Sequence, residues 1–312
     1  SSDAGTKSLP WNHESRRGLR TGPGPLPRHG LSPTLRAVVE PGAATVARAK
    51  SHPVLRRFDL RRVRLPLGKT TVSLVLPDAR DWFRRGEWAD ATERGAEPPY
   101  WVQVWPASLA IARWLVRRGS LAGQRVLDLG CGLGIPGLAA ATVGADVTFA
   151  DLEADALAFA GWNAAHVAAP ERVHAVGLDW RSTTIAGTFD LVILADVTYR
   201  PIHHVAMKRQ LAACLAPRGV ILHADPNRHE SLPFLQWLRT TYPALTAQKH
   251  TVALEGSVDV RVCAASPDAG ALAPWAAALG AGTRIQQSDR GAAPAATPTA
   301  NPPVPEPPHG PP

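Results

Sequence analysis

The stretch Val126-Leu-Asp-Leu-Gly-Cys-Gly-Leu-Gly134 constrains this chain more than any other. Apolar residues lead into Asp128, and glycines stand at 130, 132 and 134. Pro136 and Gly137 then open the run Leu138-Ala-Ala-Ala-Thr-Val143. That order reads as strand, tight turn and helix. Glycine adopts backbone angles that a side chain forbids, so the turn's main chain can approach a ligand closely. The unpaired N–H groups at the start of the next helix then face that ligand. A dinucleotide site wants Gly-x-Gly-x-x-Gly, whose third glycine would fall at 135, where Ile135 stands. A purely structural turn is the alternative to a ligand cradle.

From residue 124 onward strand-like and helix-like segments alternate, the pattern of a parallel sheet with crossover helices. Strands are expected at 125–129, 146–150, 173–178, 189–195 and 219–223. Helices are expected at 135–143, 154–165, 202–216 and 231–241. Segments 249–254 and 258–265, joined by Glu255-Gly256-Ser257, read as a closing hairpin. Upstream, Leu109, Ala112, Leu115 and Val116 fall on one face of a helix that ends near Gly119. A further hairpin is expected from 58–66 and 70–77, turning at Gly68-Lys69.

Composition divides the chain into four parts. Residues 1–53 are rich in Pro, Gly, Ser and Arg without periodicity and read as a disordered basic arm. Residues 54–98 hold the hairpin and a lid-like extension, with Trp82, Phe83 and Trp88 as anchors. Residues 99–266 form the main domain, and 267–312 read as a disordered Pro/Ala-rich tail.

The net charge of +8 suggests nucleic acid until it is located. Residues 1–72 carry 14 of the 34 Lys and Arg and 4 of the 26 Asp and Glu, a balance of +10, which leaves −2 for the rest. The arm could bind polyanions only nonspecifically, so no specific nucleic-acid partner is expected. Arginine outnumbers lysine 29 to 5, which fits a GC-rich genome as well as any binding role. Prolines 23, 25, 27, 33 and 41 argue against an amphipathic transit peptide. No apolar run reaches the roughly 20 residues of a membrane span. Cys131, Cys214 and Cys263 are odd in number and far apart, which suggests neither disulfides nor a zinc site. A cytoplasmic monomer without metal is expected.

Ligands of open α/β sheets lie beyond the carboxyl ends of the strands, so the residues after each strand are the site candidates. Asp151, 21 residues beyond Gly130, follows the second strand, where a carboxylate can accept both hydroxyls of a ribose. Its plainer reading is an acid at a helix start. Asp179-Trp180 follows the third strand, and Ala195-Asp196-Val-Thr-Tyr199 the fourth. Trp180 could stack on a ligand or fill a packing gap. His203 and His204 could serve as bases or as ordinary polar surface. The Asn/Asp-Pro-Pro-Tyr/Phe of nucleic-acid base methylases is absent after the fourth strand.

The Asp-x-Gly-x-Gly-x-Gly spacing of 128–134 resembles motif I of class I S-adenosylmethionine (SAM) methyltransferases. Trp105-Pro106 before a helix, Val126 through Gly137, Leu178-Asp-Trp180 and Asp196-x-x-Tyr199 occur in the order seen in the seven-β-strand protein methyltransferases, methyltransferase family 16. The likeness covers about residues 98–265. Ala224-Asp-Pro-Asn-Arg228 resembles the Gly-Asp-Pro-x-Arg stretch of the branch that modifies the β subunit of electron-transfer flavoprotein. Bacterial relatives are labelled nicotinamide N-methylase-like.

This resemblance implies an α/β fold: a Rossmann-like, seven-stranded, mostly parallel sheet with helices on both faces, preceded by the N-terminal hairpin. It implies SAM as cofactor, held by Trp105, Asp128, Gly130, Gly132, Gly134, Asp151, Asp179, Trp180 and Ala195, with Asp179 bonding the adenine amino group. Asp196 and Tyr199 would then be the catalytic pair, Asp196 holding an acceptor amine by charge and Tyr199 by a hydrogen bond or its ring. A protein lysine is the expected acceptor. The alternatives are a small nicotinamide-like amine and a scaffold that binds SAM without catalysis. Ala224 and Asn227 depart from that branch's glycines, and Arg200 stands where an acid is common, which leaves the substrate open.

Overall fold

Along each central strand, side chains alternate between two separate apolar cores, and this alternation sets the architecture. The computed structural model describes residues 43–67, 70–79, 98–167, 170–254 and 256–279. Strands β3 (Arg125–Leu129), β4 (Asp146–Asp151), β5 (Val173–Gly177), β6 (Phe189–Ala195), β7 (Leu215–Asp225), β8 (Ala244–Leu254) and β9 (Gly256–Ser266) form one sheet, ordered β5-β4-β3-β6-β7-β9-β8. Pairing from β5 through β7 is parallel, and β9 runs antiparallel to both β7 and β8. The expected α/β fold class, with its mostly parallel seven-stranded sheet, is what forms.

Val126, Phe149, Leu191, Ile193, Val220, Leu222 and Val262 face one core. Leu127, Leu129, Val192, Leu194, Ile221 and Cys263 face the other. A sheet covered on both sides needs continuous apolar runs, which explains Leu191-Val-Ile-Leu194. The first core is closed by α2 (Pro106–Arg118), α3 (Ile135–Thr142) and α4 (Ala154–Val167), which supply Ile111, Leu138 and Phe159. The second is closed by α5 (His204–Cys214) and α6 (Leu232–Thr241), through Met207, Leu211, Phe234 and Leu238.

The N-terminal hairpin, β1 (Leu60–Leu67) with β2 (Thr70–Pro77), is antiparallel as expected. Asn163 on α4 ties it down: its Oδ1 accepts the Val75 N–H at 2.7 Å and its Nδ2 donates to the Val75 carbonyl at 2.9 Å. Each such buried bond contributes about 1 kcal/mol net. Phe58 meets Trp101 and Phe159 edge-on, at 5.6 and 5.2 Å between ring centres.

Two stretches read as unstructured are partly helical. Helix α1 (Ala43–Lys50) buries Ala49 within the arm, and α7 (Ala269–Leu279) lies within the tail. Trp275 of α7 stacks on Trp114 of α2 at 5.1 Å and is 3% exposed. Both stretches are alanine-rich, and their apolar content looked too small to offset the entropy of ordering. In α7 one large aromatic seated on the main body supplies what alanine lacks. Residues 1–42 of the arm and 280–312 of the tail, the Gly68-Lys69 turn and the anchors Trp82, Phe83 and Trp88 lie outside the described residues. Among the described residues no helix is long and apolar enough to cross a membrane.

Candidate active site

The carboxyl ends of β3, β4 and β6 converge on a cavity of about 750 Å³, within the range of small-molecule and cofactor sites. Gly130, Gly132 and Gly134 all have positive φ, at 69°, 52° and 73°. The turn is tied to β4: the Gly130 and Cys131 N–H groups donate to the Ala150 carbonyl at 2.8 and 3.1 Å. At Gly130 a Cβ would lie 2.7 Å from Val197 Cγ1 and 3.0 Å from the Trp180 ring, so glycine is required by space as well as by φ.

Asp151, at the end of β4, lines the cavity. Its Oδ2 accepts the Gly132 N–H at 2.8 Å, and its Oδ1 accepts the Glu153 N–H at 2.9 Å. Burial raises its carboxyl above the usual range, while those N–H bonds pull it back. Each oxygen keeps a lone pair for a further donor. Asp179 also lines the cavity and is ion-paired with Arg181 at 2.8 Å, which holds its carboxyl below the usual range. Trp180 lies over Gly130 with its ring edge-on to His203, so it both lines the cavity and fills the gap that the glycine leaves.

Two residues expected at the cofactor stand elsewhere. Asp128 is 1% exposed and outside the cavity lining, and its Oδ2 accepts the Gly137 N–H at 2.9 Å under the turn. Gly134 is likewise outside the lining. A Cβ there would meet Ala160 at 2.8 Å and Phe149 at 2.9 Å, so its role is helix–sheet packing. Both shape the cradle from behind.

The loop after β6 forms the cavity's other end. Ala195, Asp196 and Tyr199 all line it. Asp196 has left-handed backbone, φ 59°, and its N–H donates to the Ala224 carbonyl at 2.8 Å. Thr198 is fully buried. Its hydroxyl contacts His223 Nε2 at 2.9 Å and Ser231 Oγ at 2.8 Å, and its carbonyl lies 2.9 Å from His204 Nε2. His204 therefore faces the loop's backbone and is outside the lining, whereas His203 lines the cavity.

Tyr199 meets Tyr100 at 5.5 Å, Tyr100 meets Trp105 at 6.1 Å, and Trp105 Nε1 donates to the Tyr100 carbonyl at 2.9 Å. Tyr100, Trp105 and Tyr199 thus wall this end with aromatic faces. Tyr100 was not singled out by sequence, although it stands within the aromatic run that precedes α2.

Asp196 has a partner within the chain. Both carboxylate oxygens accept from Arg228, Nε at 2.8 Å and Nη2 at 3.1 Å, so its charge is already paired. Arg228 belongs to the Asp225-Pro-Asn-Arg228 stretch that sequence had picked out without giving the arginine a task. Leu152, Ile202 and Val205 stand 57, 75 and 75% exposed around the cavity mouth. Among the described residues no group of His, Cys, Asp or Glu could hold a metal ion.

Residues 92–240 match the family model described as lysine methyltransferase. The chain is 34% identical over 111 residues to a ubiquinone biosynthesis O-methyltransferase of Bordetella avium, covering 36% of this chain and 46% of that protein. It is 28% identical over 165 residues to the electron transfer flavoprotein beta subunit lysine methyltransferase of Danio rerio, covering 51% and 60%. It is 30% identical over 132 residues to EEF1A lysine methyltransferase 3 of Mus musculus, covering 41% and 57%. The chain thus spans about half the length of the relatives it matches. That match lies on the seven-stranded sheet and its glycine turn, so the chain is similar to the lysine methyltransferase family over residues 92–240, in sequence and in the fold that carries it.

Proposed function

We propose that this chain methylates the side-chain nitrogen of a lysine in a protein. The observation that carries the protein acceptor is the mouth of the cavity, where Leu152, Ile202 and Val205 present apolar surface to solvent. A small amine needs no such rim, whereas a protein segment laid across it would bury that surface. The lysine specificity follows the family model and the relatives named for lysine.

The residues fit the cofactor. Asp151 has one N–H on each oxygen, which leaves acceptor capacity for two ribose hydroxyls, and the backbone of Gly130 and Gly132 borders the same cavity. Asp179 and Trp180 would border the adenine, and Trp105 and Ala195 the end nearest the acceptor. S-adenosylmethionine, when bound, supplies a methyl carbon activated by its sulfonium for in-line displacement.

What the chain contributes is alignment and exclusion of water. Tyr100, Trp105 and Tyr199 confine the acceptor's alkyl chain between aromatic faces, and Tyr199 can accept from the nitrogen or lie against it. A lysine has to lose its proton before it attacks, its ordinary pKa being about 10.4. Asp196, paired with Arg228, positions the loop and does not act as the base. A small-molecule acceptor is the second reading, favoured by the likeness to the Bordetella enzyme.

Incubating the protein with methyl-labelled SAM and a cell lysate tests the proposal. Label should enter a discrete protein band and appear as methyllysine after hydrolysis. Label confined to the small-molecule fraction would overturn it in favour of the second reading.

A further inference from the structure

The acceptor end of the cavity holds a charge pair that says how the acceptor is chosen, an inference that rests on the proposed reaction only for where the acceptor enters. Asp196 and the Trp105 ring together form a seat for a cation, a carboxylate beside an aromatic face. The protein's own cation fills it. Arg228 meets both Asp196 oxygens, and its Cζ lies 6.0 Å from the Trp105 ring centre.

The occupant is built in. Asp225 Oδ1 accepts the Arg228 N–H at 2.8 Å, and Asn227 has left-handed backbone, φ 58°. Asn227 Oδ1 accepts Arg261 Nη2 at 2.7 Å, and its Nδ2 donates to the Asp259 carbonyl at 3.1 Å. The turn after β7 is therefore fastened to β9 and aims the guanidinium back across the end of β6. Arg228 approaches from outside the cavity lining, while Asp196 belongs to it and has a side chain only 3% exposed. A planar fork on a buried carboxylate makes a neutral, directional unit that a lysine-like ammonium cannot readily copy.

We propose that Arg228 is a specificity-determining residue. It cancels the charge of Asp196, so the acceptor is selected by its alkyl chain against Tyr100, Trp105 and Tyr199 and not by an ion pair. A bare carboxylate would favour the protonated amine, the form that carries no lone pair for the methyl group. The neutral pair removes that bias.

Binding of n-butylammonium and n-butanol to the full chain, compared by ligand-observed NMR, tests this. The parent should bind the two within about threefold of each other. Arg228→Gln should favour butylammonium at least fivefold, because Asp196 is then unpaired. Asp196→Asn should disfavour butylammonium, and the double variant should return to the parent ratio. Arg228→Lys, which keeps the charge but not the fork, should fall between the parent and Arg228→Gln, and Asp196→Asn carries the test if Arg228→Gln lacks a cooperative melting transition: an unchanged ratio in a folded Asp196→Asn would then overturn the proposal. A parent that prefers butylammonium tenfold, binding of neither probe to the parent, or an unchanged ratio in a folded Arg228→Gln would each overturn the proposal. The ratio needs neither SAM nor a protein acceptor, so failure of the lysine reading would leave it standing.

Discussion

Replacing Asp128 by Asn should make the protein more stable, and increasingly so as pH rises. Asp128 is buried beneath the glycine turn with the Gly137 N–H on Oδ2 at 2.9 Å. Burial pushes its carboxyl up from 3.8 to about 7, against the Gly137 N–H, and the Asp151 charge adds to the rise. The folded state therefore keeps a proton that the unfolded chain releases near pH 4. Stability is highest below that value, falls as pH rises through the window from about 4 to about 7, and stays lowered above it. A shift of roughly three pH units at 1.36 kcal/mol each bounds the loss at about 4 kcal/mol, a large share of a typical domain's stability. Between pH 5 and pH 8 the difference amounts to about 2.5 kcal/mol. Asn is isosteric and neutral, and its Oδ1 can still accept the Gly137 N–H. Urea unfolding of parent and variant at pH 5, 6, 7 and 8 reads the effect as the gap between them. His223, whose burial pushes it down to about 3, titrates in both proteins, so its contribution cancels in the gap. A gap that stays flat across that range would refute the reasoning, as would a variant that falls behind at pH 8.

Other residues allow equally direct tests. Asp151→Ala should weaken SAM binding at least tenfold by calorimetry, about 1.4 kcal/mol, and Asp151→Asn, which keeps an acceptor for the Gly132 N–H, should weaken it less. Unchanged affinity in the alanine variant would show that the ribose lies elsewhere. Trp275→Ala should cost about 3 kcal/mol in urea unfolding, because it removes a buried aromatic stacked on Trp114. A cost under about 0.5 kcal/mol, the size of an ordinary surface change, would show that α7 is no part of the core.

What sequence alone determined is local. Glycines at 130, 132 and 134 declare a turn because glycine adopts those φ angles at the lowest cost, and the turn sits where they said. Runs such as Leu191-Val-Ile-Leu194 announce strands covered on both faces, and the spacing to Asp151 places a carboxylate beside the turn. Each of these signals is held within a single strand or one strand–helix–strand unit, so near neighbours are enough to read it.

What only the tertiary structure decided depends on which strand ends become neighbours. Arg228 reaches Asp196 across 32 residues because β7 lies beside β6, and because left-handed backbone at Asp196 and Asn227 turns the two side chains toward each other. Tyr100 joins Tyr199 because the turn that precedes α2 borders the same cavity as the loop after β6. Asp128 and Gly134 belong to the motif and yet point into the packing beneath it, a distinction that spacing does not carry. Helix α7 orders on the strength of Trp275 against Trp114, a contact between the ends of the domain. Charge pairing, aromatic walls and late helices all draw their energy from contacts distant in sequence, and the fold had to bring those residues together before their roles could be read.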